Sequence, residues 1–186
     1  MSATTPILNI PVEKIDGTPA SLAEHRGKVL LIVNVASQCG FTPQYAPLEA
    51  LYKQNRDKGL VVCGFPANEF AAQEPGSNAE INSFCETSFG ITFPMYAKIA
   101  VTGPEQHPLY NALVESKPET TGDTTELRQH LVEFGVSPTT PPEVLWNFEK
   151  FLVARDGKVV NRFASDVEPN DPRIQSAIEE EINRAI

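Results

Sequence analysis

A chain of 186 residues with 41% apolar and 21% charged side chains is long enough for one domain with a real core, at roughly 150 residues per domain, and its composition excludes a disordered or fibrous protein. Fifteen basic against twenty-four acidic residues leave a net charge of −9, which disfavours nucleic acid and anionic membranes as partners. No apolar run approaches the roughly 20 residues that span a bilayer, and Met1 to Pro6 lack the basic-then-apolar pattern of an export signal, so the expected localisation is cytoplasmic. Three cysteines cannot build an even disulfide framework, which leaves core packing or redox chemistry for them.

In chain order, apolar residues from Ile7 to Ile15 lead to Asp16-Gly17, whose glycine tolerates positive φ, and the pattern predicts a short N-terminal β-hairpin. Ser21 to Glu24 has capping-box spacing and predicts one helical turn closed by Gly27. Val29-Leu30-Leu31-Ile32-Val33 is unbroken and β-branched, as a strand buried on both faces requires. A loop over residues 37–42 precedes a helix with Leu48, Leu51 and Tyr52 on one face, ending near Gly59. Pro43 fits a first helical position, and Pro47 predicts a short turn ahead of the main helix. Leu60 to Phe65 is a second buried strand, parallel to the first across a helical crossover.

Ser77 and Glu80 repeat the capping-box spacing before a helix ending near Gly90, with Ile81, Phe84, Cys85 and Ser88 on its inner face. Residues 91–101 read as an extended segment and strand, and His107 to Val114 as a helix. From about 115 to 143 the chain turns polar, includes Ser137-Pro138-Thr139-Thr140-Pro141-Pro142, and holds one expected helix from Thr125 to Phe134. It reads as an insertion within a single domain spanning residues 1–186. Phe148 to Ala154 and Val159 to Phe163 flank Asp156-Gly157, an antiparallel hairpin signal that makes the sheet mixed. Asn170 or Asp171 caps a last helix with Pro172 in its first position; Ile174, Ile178, Ile182 and Ile186 form its inner stripe and Glu179 to Glu181 its solvated face. The residues alone therefore predict an α/β fold, a central mixed β-sheet flanked by helices.

Cys39 lies between a central strand and a helix, at the carboxyl edge where open α/β sheets place their sites. Helix N-terminal amides stabilise an anion there, so a thiol in that position is a candidate nucleophile; a buried loop cysteine is the alternative, because free cysteine is among the most buried residue types. Four blocks decide between them: Asn34-Val35-Ala36-Ser37-Gln38-Cys39-Gly40, Phe65-Pro66-Ala67-Asn68-Glu69-Phe70, Gln73-Glu74-Pro75-Gly76 and Trp146-Asn147-Phe148-Glu149-Lys150-Phe151-Leu152-Val153 together resemble the glutathione peroxidase family. The resemblance runs from about Ile7 to the C-terminal helix, is weakest over 115–143, and implies a thioredoxin-like fold. It implies a peroxidatic Cys39 assisted by Gln73, Trp146 and Asn147, whose amide and indole N–H groups are suited to stabilise a thiolate and a developing oxyanion. Without it, Trp146 reads as a core aromatic.

The same resemblance implies that Cys85 is a resolving cysteine, forming a disulfide with Cys39 after its oxidation, and that thioredoxin is favoured over glutathione as reductant. The inward face expected for Cys85 conflicts with a disulfide, which needs Cα atoms within roughly 7 Å, so the helix over 77–90 is expected to unwind locally after Cys39 is oxidised. The family often has Cys and Gln where this chain has Ala67 and Glu69, so no thiol is available at 67. Cys63, inside the second strand, reads as core filler.

Other chemistries find no support. His25, His107 and His130 are scattered, no Cys/His cluster has zinc spacing, no phosphate loop is present, and Thr42 stands where a C-x-x-C dithiol would need its second cysteine. The expectation is a thiol peroxidase for hydrogen peroxide and organic hydroperoxides, without metal or bound cofactor. The rival readings are a peroxide sensor that relays a disulfide to a partner protein and an inert thioredoxin-like binding domain. Assembly stays open, because in the family an internal segment at the place of 115–143 accompanies oligomers and its absence monomers.

Overall fold

The computed structural model describes residues 6–184. A two-stranded hairpin, β1 (Val12–Glu13) and β2 (Pro19–Ala20), turns through Gly17 at φ 90°. The single turn expected after Ser21 is a 3-10 turn, Leu22–His25, with the Ser21 side chain accepting from the Ala23 N–H. The core sheet then begins with β3 (Val29–Val35), in which every residue is buried. It runs parallel to β4 (Leu60–Pro66), in register from Val29 with Leu60 to Val35 with Pro66. The helix α1 (Tyr45–Asn55) joins them and packs on β4. Two further strands, β5 (Lys150–Val153) antiparallel to β3 and β6 (Val159–Phe163) antiparallel to β5, complete the order β4-β3-β5-β6. This mixed sheet is the thioredoxin-like arrangement. Branched apolar residues fill β3 and β4 because helices cover both faces, and a strand without a wet face has no use for polar alternation.

The other helices are α2 (Asn78–Phe89), α3 (Pro108–Ser116), α4 (Thr125–Glu133) and α5 (Pro172–Asn183). The capping box of α2 forms in both directions between Ser77 and Glu80, and Asp171, not Asn170, caps α5. Pro47 falls in the first turn of α1 behind a separate 3-10 turn at Thr42–Gln44, where the missing N–H has no helical partner to lose.

Three expectations are corrected. No strand forms within 91–101: the segment lies along β4 through Gly64 N–H to Pro94 O at 3.0 Å, Tyr96 N–H to Gly64 O at 2.9 Å and Ile99 N–H to Pro66 O at 3.0 Å. Pro94 has no N–H to donate, so contact remains at isolated bridges. A Cβ on Gly64 would lie 2.6 Å from Met95 Sδ and 3.2 Å from Phe93 Cε1, so the bare glycine leaves room for these two side chains to pack over the strand. Ser88 is exposed rather than on the inner face of α2, which buries Ile81 and Cys85. Within the acidic run of α5, Glu181 is buried and takes the Arg184 guanidinium, Nε to Oε2 at 2.9 Å, while Glu179 and Glu180 face water. Ile174 and Ile178 are buried and Ile182 partly so; Ile186 lies outside the described residues.

Irregular segments cover both edges of the sheet. The hairpin reaches β4 through residues 94–97, with Ile15 N–H to Met95 O at 3.2 Å and Ala97 N–H to Glu13 O at 2.9 Å. On the other side Thr121 of the polar segment donates to Arg162 O at 2.7 Å and accepts from Ala164 N–H at 2.9 Å.

Candidate active site

Beyond the end of β3 the chain must reverse into α1, and Thr42 shapes that turn. Its Oγ1 accepts the Cys39 N–H at 2.9 Å and donates to Ala36 O at 2.8 Å. The position that excluded a local dithiol thus carries a hydroxyl that locks the loop. Cys39, 8% exposed, points its sulfur at the Phe41 N–H, which donates to Sγ at 3.3 Å. A backbone N–H held in a turn ahead of a helix is a fixed donor for a thiolate.

Gln73 is delivered by a strained segment. Ala71 and Ala72 both adopt left-handed backbone at φ 58° and 51°, and Gln38 N–H donates to Gln73 O at 3.0 Å, which ties the segment to the Cys39 loop. Phe148, next to Asn147, is also left-handed at φ 67° and donates its N–H to Asn34 O at 2.7 Å. Non-glycine residues in this region cost about 1–3 kcal/mol each and persist only where their surroundings over-determine them; here all three flank candidate site residues.

Asn147 is fully buried and donates Nδ2 to Gln73 Oε1 at 3.1 Å. This bond fixes the carbonyl side of Gln73, leaving Nε2 as the donor Gln73 can offer elsewhere. Trp146, 7% exposed, stacks at a tilt against Phe70 with ring centroids 5.5 Å apart. Its carbonyl accepts from Asn34 Nδ2 at 3.1 Å and Ser165 Oγ at 3.2 Å. Cys39, Gln73 and Trp146 line one cavity of about 510 Å³. The rest of its wall is mostly apolar, with Phe41, Leu127, Leu131, Phe134 and Val136, so the expected site residues meet there with Asn147 directly behind them.

Cys85 is elsewhere. It is 1% exposed on the inner face of α2 and is absent from the cavity wall. Burial pushes its thiol up to about 11, against a lowering by the neighbouring Tyr45 hydroxyl. All three cysteines are free. Cys63 is completely buried in β4, and burial raises its thiol far above the usual range, as core filler requires. Among the described residues no group of His, Cys, Asp or Glu is arranged to hold a metal ion, and no helix is long and apolar enough to cross a membrane.

Two parts of the site escape a sequence reading. Thr42 carries a weak local signal, a hydroxyl three residues after the candidate nucleophile. The wall from α4 carries a stronger one, an apolar i, i+4 pair, Leu127 and Leu131, within an otherwise polar segment.

Comparison with known proteins gives a consistent answer. The family model described as glutathione peroxidase matches residues 7–114. The chain is 48% identical over 173 residues, 92% of its length and 94% of the relative's, to the thioredoxin/glutathione peroxidase BtuE of Escherichia coli (strain K12). It is 44% identical over 169 residues, 91% of its length and 92% of the relative's, to the hydroperoxy fatty acid reductase gpx1 of Synechocystis sp. (strain ATCC 27184 / PCC 6803 / Kazusa). Among solved structures, that of Trgpx in its apo form superposes with a TM-score of 0.71 at 36% identity and covers 98% of each chain.

Proposed function

The chain belongs to the glutathione peroxidase family and is a thiol-dependent peroxidase, and from that premise we propose that Cys39 is the peroxidatic residue, Gln73 and Trp146 its cavity donors, Asn147 the residue that orients Gln73, and Cys85 the resolving thiol. The Cys39 thiolate attacks one peroxide oxygen; the O–O bond breaks, a proton goes to the departing oxygen as water or alcohol, and the sulfur becomes a sulfenic acid. The Cys85 thiol then displaces water from that sulfur to give a Cys39–Cys85 disulfide, which a reducing dithiol returns to two thiols by exchange. The observation that carries this reading is the single cavity shared by Cys39, Gln73 and Trp146.

An internal disulfide suits a dithiol protein reductant, so thioredoxin is favoured over glutathione, and the BtuE relative is named for both. The apolar wall supplied by Leu127, Leu131 and Phe134 favours organic hydroperoxides with a hydrocarbon chain alongside hydrogen peroxide, and one relative is named as a reductase of hydroperoxy fatty acids. Three cysteines cannot form an even disulfide framework, and the compartment that suits them is a reducing one, the cytoplasm.

Because Cys85 is buried and α2 is intact, resolution needs α2 to open. Peptide mapping under non-reducing conditions after one equivalent of hydrogen peroxide tests the cycle. A Cys39–Cys85 link is expected, with weaker amide-exchange protection over 77–90 in the disulfide than in the reduced protein. Sulfenic acid or a glutathione adduct on Cys39 with Cys85 free would replace the two-cysteine cycle by a one-cysteine one, and an unmodified Cys39 would remove it from the chemistry.

A further inference from the structure

Lys150 opens β5, opposite Val33 of β3 and Phe163 of β6, and is 0% exposed. A fully buried lysine is rare and demands acceptors for its charge. Its three ammonium protons have three: Gln44 Oε1 at 2.6 Å, Ser165 O at 3.0 Å and Val167 O at 2.7 Å. Gln44 closes the turn after Cys39, its N–H donating to Phe41 O at 2.8 Å, and its Nε2 also donates to Ser165 O at 2.8 Å. Ser165 in turn donates its hydroxyl to the Trp146 carbonyl at 3.2 Å. None of Gln44, Lys150 and Ser165 lines the cavity. They form a buried junction behind it that joins the residue whose N–H touches the Cys39 sulfur to the residue that carries the indole.

We propose that Lys150 is a positioning residue of the peroxidatic site, its ammonium fixing the turn that carries Cys39 relative to the loop that carries Trp146. This rests on the roles of Cys39 and Trp146 proposed above. Loss of a merely structural lysine would leave its buried acceptors unpaired and lower stability, with the rate of Cys39 oxidation and the environment of Trp146 unaffected. Burial pulls the ammonium down to about 7 while the carboxylates of Glu168, Asp166 and Glu149 oppose the shift.

The molecule supplies its own control. Arg155, past the other end of β5 and partly exposed, also donates to three carbonyls, Gly27 O at 2.9 Å and Lys58 O and Ile182 O at 3.0 Å each, and does not line the cavity. The test compares Lys150→Met, Gln44→Met and Arg155→Met by thermal unfolding, by the bimolecular rate of Cys39 oxidation with hydrogen peroxide, and by the emission of Trp146, the one tryptophan of the chain. Small misplacements of reacting groups cost up to about 100-fold, so Lys150→Met is expected to slow oxidation roughly 10- to 100-fold and to shift the emission, with Gln44→Met changing both in the same direction by less. Arg155→Met is expected to lower the melting temperature and leave rate and emission as they were. Wild-type rate and emission in Lys150→Met, or an equal loss of rate in Arg155→Met, would overturn the proposal. If Lys150→Met does not fold, unchanged rate and emission in Gln44→Met overturn it instead. Peroxide consumption that survives Cys39→Ser would refute the Cys39 role itself, a result distinct from a failure of the Lys150 link, which the emission still reads.

Discussion

Under the proposed roles, Gln73 and Asn147 form a pair in which Asn147 Nδ2 holds Gln73 Oε1. Removing one well-placed donor from a developing oxyanion typically costs about 100- to 1,000-fold, and Gln73→Ala is expected to slow Cys39 oxidation at the lower end of that range or below it. Asn147→Ala frees Gln73 to rotate and is expected to cost about 10-fold, while the double variant should be no slower than Gln73→Ala alone, since residues acting as a unit are not additive. Stopped-flow oxidation of the three variants checks this, and multiplied losses would mean two independent contacts. All three thiols are buried, but only Cys39 lines the cavity. Brief alkylation of the reduced, folded protein should label Cys39 and leave Cys63 and Cys85 unmodified, because the thiolate is the reactive form and burial raises both of the latter; mass mapping of the labelled sites reads the result.

Helix α2 carries the element-scale consequence. Its N-terminus is held by the reciprocal Ser77–Glu80 box and its C-terminus by Gly90 at φ 60°, while Cys85 between them is shielded from the cavity. Ser77→Ala removes a cap worth about 1 kcal/mol, which raises the opened population roughly fivefold. Disulfide formation after peroxide treatment should accelerate by about that factor, with the preceding oxidation of Cys39 unchanged; rapid-quench mapping separates the two steps. In α4, Leu127 and Leu131 are buried against the cavity, and Phe134, the residue just past its end, is 84% exposed on the rim. Phe134→Ala is expected to raise KM for a long-chain hydroperoxide several-fold, about the 1–3 kcal/mol of a lost apolar contact or less, and to leave hydrogen peroxide kinetics alone. Equal effects on both substrates would argue that α4 does not bind the chain.

Across the whole molecule, one buried ion pair ties the site loop to the sheet edge. Glu149 meets Arg162 at 2.7 Å with both side chains nearly inaccessible, and Arg162 also donates to Lys117 O at 3.1 Å and Pro118 O at 3.3 Å, holding the start of the polar segment. Burial raises Glu149 above its ordinary value of 4.5, and the Arg162 guanidinium opposes that rise. Arg162→Met leaves a lone buried carboxylate and is expected to cost about 3–5 kcal/mol. The sign of its pH dependence follows from proton counts. With a raised folded-state pKa the folded protein binds more protons than the unfolded chain, so stability falls as pH rises through the window above 4.5. Loss of Arg162 widens that window upward, and the deficit should be larger near pH 7 than at about pH 4. Urea unfolding at the two pH values tests it, and a deficit independent of pH would contradict the charge argument.

Much of this architecture is legible locally. The buried strands, the capping box of α2, the turn ahead of α1 and the hairpin at Asp156-Gly157 follow from periodicity and turn chemistry, which act over a few residues, and the helix at Thr125 announced itself by spacing even inside a polar segment. The family blocks marked Cys39, Gln73, Trp146 and Asn147 together. Tertiary structure alone decided the contacts: that Asn147 hydrogen-bonds Gln73, that α4 walls the cavity, that 91–101 lies beside β4 without becoming a strand, and that Lys150 is buried among carbonyls. Those outcomes depend on groups tens of residues apart, Gln44 with Lys150 or Gln73 with Asn147, brought within about 3 Å by the packing of the sheet. Sequence pattern carries the period of each element, while hydrogen-bond partners across elements are set by where the closed core leaves each polar group no other acceptor.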